Sequence, residues 1–103
     1  MTFFGDTAET GRLADRIAAA VSACPSVARL ADGPVATYLP GRAVQGVAVG
    51  ECEVRIAVVA IYGRPLAEVA DQVREAVQRV TPHQRIDVAI DDMEIPGAAG
   101  QTG

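Results

Sequence analysis

A chain of 103 residues fits one domain and is long enough to bury a core without disulfide or metal staples. Half of it is hydrophobic and 21% is charged, which excludes a disordered polymer. The net charge of −4 makes nucleic acid a poor default partner, and the four aromatics argue against a deep aromatic-walled pocket.

The start, MTFFGDTAETGR, has neither a basic region nor an apolar run, so it does not read as a signal peptide. Residues 1–9 are expected to form a flexible arm. Thr10 is placed to cap a helix over 11–24, in which Leu13, Ile17, Ala20, Val21 and Cys24 form one apolar stripe. Pro25 ends it, because proline has no N–H to donate and biases the residue before it away from helix. Val27–Leu30 suits a short strand, and Asp32-Gly33-Pro34 a turn. Val35–Leu39 and Ala43–Val49 read as strand pieces broken by Pro40-Gly41, with a bulge expected at Gly46. Gly50-Glu51 then turns the chain into Cys52–Tyr62, the clearest strand, as one arm of a hairpin.

Pro65 is expected at the first helical position of a second helix reaching Val80. Leu66, Val69, Ala70, Val73, Val77 and Val80 step by three or four, while Glu68, Asp71, Arg74, Glu75, Gln78 and Arg79 make the wet face. Thr81-Pro82 stops it. Arg85–Asp91 alternates, with Ile86, Val88 and Ile90 on one side and Asp87, Ala89 and Asp91 on the other, which is the signature of a half-buried strand. Residues 96–103 are expected to be a disordered tail. The order predicts an α+β two-layer sandwich over residues 10–95. Both helices lie on one face of a three- or four-stranded sheet, and the last strand runs parallel to 52–62.

The search for chemistry is mostly negative. His83 stands alone in a loop, no serine sits in a Gly-x-Ser-x-Gly setting, and no Walker or dinucleotide loop occurs. Asp91, Asp92 and Glu94 form a small acidic group that reads as a charged strand end. Cys24 and Cys52 are expected to be reduced, small buried hydrophobes and not a metal pair. The RNA-binding KH module has a similar mix of elements, but its GXXG loop is missing here. No catalytic residue, metal ligand or cofactor site is expected. Tyr62-Gly63-Arg64-Pro65 joins strand to helix where some folds hold phosphate. One glycine, one arginine and a proline lacking an N–H make it a structural corner instead, built by Gly63 and Pro65. Arg64 remains a candidate contact for an anionic partner. On the strand face opposite the helices, Val59 and Ile61, with Ala89 of the last strand, are expected to form an apolar patch. It serves self-association or partner docking, or is covered by the arm carrying Phe3 and Phe4.

Several of these residues, in this order and spacing, resemble the alkaline shock protein family, also called the Gls type. The matches are Arg16-Ile17-Ala18, Val27 and Leu30, Gly46-Val47, Tyr62-Gly63 with Pro65, Glu68-Val69 and Val88-Ile90, over residues 10–95. The chain departs from that pattern at Ser26, where glycine is usual, and at Thr81-Pro82, where Thr-Gly is often found. The resemblance implies a non-enzymatic protein of bacterial envelope stress and homeostasis. It would be a cytoplasmic scaffold or adaptor, in some cases held at the membrane by a partner; a homo-oligomer is expected only from the apolar patch, apart from the resemblance. The competing expectation is a small-ligand regulatory module of the ACT kind, which uses a similar sandwich. No membrane span is expected, since no apolar stretch approaches the ~20 residues one needs.

Overall fold

In a computed structural model the described residues are 3–95, with side chains described from residue 8. The elements in chain order are α1 (Phe3–Ser22), β1 (Val27–Leu30), β2 (Ala36–Leu39), β3 (Arg42–Gln45), β4 (Val47–Val49), β5 (Glu53–Ile61), α2 (Leu66–Val80) and β6 (Arg85–Glu94). The expected tail, 96–103, lies outside the described residues. The N-terminal stretch differs from expectation. Helix α1 begins at Phe3, so residues 3–9 belong to it, and Thr10 lies within the helix and does not cap it. No proline interrupts residues 3–9, so the helix propagates back past the point where its apolar stripe begins.

Strand β5 is the spine of the main sheet. Along one edge it pairs in parallel with β6 over its whole length, from Glu53↔Arg85 to Ile61↔Glu94. Its other edge is shared end to end by two short antiparallel strands. β4 takes the first half (Val47↔Ile56, Val49↔Val54) and β1 the second (Val27↔Ala60, Leu30↔Val58). The parallel strand after a helix crossover, the β4–β5 hairpin and the four-stranded sheet all match the reading of the pattern. Beyond it, 36–45 form a separate two-stranded hairpin, β2–β3, around Pro40-Gly41.

Both helices lie on one face. Ala14, Ile17 and Val21 of α1 and Val69, Val73 and Val77 of α2 close over Val54, Ile56, Val58 and Ala60 of β5, with Val27, Val44, Val47 and Ile86 at the margins. Each fully buried Val or Ile contributes roughly 1.5–3 kcal/mol, so this face holds α2 far more firmly than its few-tenths surface ion pairs. Val44 carries the β2–β3 hairpin into the same core. Its strand β2 is sewn to the main sheet by one buried side chain. The Thr37 hydroxyl donates to the carbonyl of Val47 at 2.6 Å and accepts from the N–H of Val49 at 3.1 Å.

The bulge expected at Gly46 is instead the junction at which the chain passes from the β2–β3 hairpin to the main sheet, and the absence of a side chain there has a packing cause. Gly46 (φ +82°) separates β3 from β4, and its carbonyl accepts from the N–H of Ala57 at 2.9 Å. A Cβ there would lie 2.7 Å from Leu30 Cβ and 2.9 Å from the Ala57 carbonyl oxygen. No side chain fits where β1 and β4 meet across β5.

Candidate functional site

The strand-to-helix corner is built by backbone geometry. The N–H of Tyr62 donates to the Glu94 carbonyl at 2.7 Å, extending the parallel ladder one residue beyond β5. Gly63 then turns the chain at φ +122°, a value that side-chain-bearing residues rarely adopt, with nothing within 4 Å of a built Cβ. Pro65 is the N-cap and not the first helical residue as expected: its ψ of 136° is non-helical. Its carbonyl already accepts from Glu68 and Val69, at 3.0 and 3.2 Å. The φ of −57° that proline locks serves the cap as well as it would serve the first turn. The Arg64 guanidinium lies 3.9 Å from the Glu68 carboxylate one turn on, and both are exposed. The helix start therefore carries an acid beside its one arginine, an arrangement that weakens any pull on a phosphate.

The expected outer patch is not continuous. Val59 is only 3% exposed and packs with Ala57, Ala31, Ala28 and Val35 in a second small core. Among the described residues the cover is the connection from β1 to β2; the side chains of Phe3 and Phe4, expected as an alternative cover, lie outside the described residues. That connection is fastened at both ends, by the Ala31 N–H to the Ala57 carbonyl at 2.9 Å and the Gly46 N–H to the Val35 carbonyl at 2.8 Å. Ile61 is half-buried and Ala89 is exposed. Nothing local to β5 announces this cover, because the covering residues lie more than twenty positions upstream.

The exposed apolar side chains gather elsewhere. Tyr62 is 61% exposed, Leu66 45%, Met93 44% and Ile95 66%. Register places them together: Met93 pairs with Ala60 and Glu94 with Ile61, so Tyr62 and Ile95 follow at the same end of the β5–β6 pair, where Leu66 opens α2. Periodicity alone puts Leu66 on the apolar stripe of α2. Both Tyr62 and Leu66 stand at the ends of their elements: Tyr62 follows the last residue of β5, and Leu66 is the first of α2.

The titratable groups are mostly at the surface. Among the described residues no group of three His, Cys, Asp or Glu could hold a metal ion. Within the acidic end, Asp92 accepts from the Met93 N–H at 2.8 Å and Glu94 accepts from Arg29 Nε at 3.0 Å. Cys24 is buried, which raises its thiol pKa, but Cys52 is exposed, against expectation, because it precedes the first residue that β4 pairs. An open depression of about 440 Å³ is lined by Glu9, Thr10, Leu13, Val49, Gly50, Glu51 and Gln84. The Gln84 side-chain oxygen is buried without a hydrogen-bond partner among the described residues. No described helix is long and apolar enough to cross a membrane. No family model, curated protein or solved structure matches the chain.

Proposed function

We propose that the protein is a non-enzymatic scaffold or adaptor of envelope homeostasis, of the alkaline shock or Gls type, acting in the cytoplasm through protein contacts. The observation that carries the reading is the gathering of Tyr62, Leu66, Met93 and Ile95 at one end of the sheet, exposed and uncharged. Aromatic, Met and aliphatic side chains grouped at a surface are what a docking anchor requires. Arg64 and Glu68 at the rim supply charge for orientation. The resemblance through Tyr62-Gly63, Pro65 and the alternating last strand supplies the envelope setting, with a membrane-anchored protein as the partner class. The test is crosslinking and pull-down from the source cell with wild type and a Leu66→Glu, Ile95→Asp variant. Retention of a membrane protein by wild type and its loss from the folded variant supports the reading. Equal recovery by both overturns it.

A second reading, a small-ligand regulatory module of the ACT kind, is favoured by one observation: Gln84, which lines the depression beside Thr10 and Gly50, has a buried oxygen with no partner among the described residues. A ligand there would raise the melting temperature by RT ln(1 + [L]/Kd). A thermal-shift screen against the twenty amino acids checks it, and an unmoved melting temperature throughout removes it.

A further inference from the structure

The longest strand of the sheet is an edge. β6 pairs with β5 on one side, and among the described residues no strand pairs with its other side. In a parallel ladder the N–H and C=O of one residue point the same way. The Arg85 N–H donates to the Cys52 carbonyl at 3.1 Å. By alternation Arg85, Asp87 and Ala89 face β5, and Ile86, Val88 and Ile90 aim their backbone groups outward. Those same three residues carry their side chains on the helix face, where Ile86 is buried and Val88 and Ile90 remain half-buried.

From this edge we infer that the protein pairs with a second copy of itself, β6 against β6, antiparallel about a two-fold axis at Val88. Outward backbone groups permit this centre: Val88 opposes Val88 of the other copy and Ile86 opposes Ile90, as pairs that exchange both N–H···O bonds. The intervening, closer pairs set the charges. Arg85 then stands opposite Asp91, and Asp87 opposite Ala89. Moving the centre one residue either way puts Asp87 against Asp87 or against Asp91, a like-charge pair that destabilises a sheet. Neither Arg85 nor Asp91 has an ion-pair partner within its own chain among the described residues. Asp91 is the extra residue of a β-bulge, since Ile90 aligns with Val58 and Asp92 with Val59, so the regular edge ends at Ile90 and the Arg85–Asp91 pair stands at its rim, where Asp91 has no partner on β5. A two-fold pairing of this kind is closed, so it stops at two copies and builds no fibre. The two sheets become one, and the half-buried row of Val88 and Ile90 continues into its counterpart.

The charges make the test reversible. The full chain is followed by sedimentation from micromolar to ~1 mM. Arg85→Asp and Asp91→Arg, both at exposed positions, should each weaken association by at least about tenfold, since each creates like-charge pairs at both ends. The double variant Arg85→Asp, Asp91→Arg should restore it. In parallel, amide exchange at Ile86, Val88 and Ile90 should slow as concentration rises, while exchange at Asp87 and Ala89 stays constant. A chain that is monomeric throughout overturns the proposal. So does a dimer indifferent to both single variants, which would use another surface. A double variant that fails to recover also overturns it, as does exchange at Val88 that ignores concentration.

Discussion

The hydroxyl of Ser26 donates to the side-chain oxygen of Gln72 at 2.6 Å, joining the start of β1 to the middle of α2 across forty-six positions of sequence. Ser26 is 2% exposed, and its own carbonyl accepts from the Ile61 N–H at 2.9 Å. One residue thus holds the end of the β1–β5 ladder and the adjacent helix.

Ser26→Ala is expected to cost about 1–2 kcal/mol, the net worth of one hydrogen bond plus the partly buried oxygen left on Gln72. A Ser26→Ala, Gln72→Ala cycle in urea should give a coupling energy of roughly 1 kcal/mol. Additive single effects would mean that the 2.6 Å contact carries no stability.

Two glycines separate strain from crowding. Gly63→Ala should cost about 1–3 kcal/mol through its positive φ alone, since open space surrounds it. Gly46→Ala should cost more, because it adds contacts at 2.7 and 2.9 Å to a similarly disfavoured φ. Chemical denaturation of the two variants ranks them. Equal losses would show that Leu30 and the Ala57 carbonyl yield to the new methyl.

Val59→Glu should abolish the cooperative thermal transition, since it places a carboxylate in the small core formed with Ala31 and Ala57. Ile61→Glu, two residues along the same face and half-buried, should leave a folded chain. Circular dichroism distinguishes them, and a folded Val59→Glu protein would show that the 31–35 connection lifts away.

The Arg42 guanidinium bonds both oxygens of Asp15, at 3.1 and 2.9 Å, tying the β2–β3 hairpin to α1 and lowering the Asp15 pKa from its ordinary 3.8. A lowered carboxylate pKa contributes stability above 3.8 that is lost as pH falls through the folded-state value. Asp15→Asn should therefore flatten the acid limb of stability below 3.8, and only slightly, because the pair is exposed and screened by salt. An unchanged acid limb in low salt would show that this pair does not fasten the hairpin.

The i, i+4 stripe of Val69, Val73 and Val77 and the alternation of Ile86, Val88 and Ile90 determined α2 and β6, the parallel crossover between them, and the side of the sheet the helices cover. These are local periods, and burial of one apolar face leaves them a single solution. The corner at Gly63 was legible for the same reason, since few residue types fit a strand that turns directly into a helix. Only the tertiary structure decided what covers Val59, why Gly46 has no side chain, and that Tyr62 and Leu66 stand in water. The first two depend on which distant segment arrives at that place: Ala31–Val35 over Val59 and Leu30 against Gly46. Alternation along a strand states that a face is apolar, but the cover is supplied by chain closure, and no pattern within the strand encodes it.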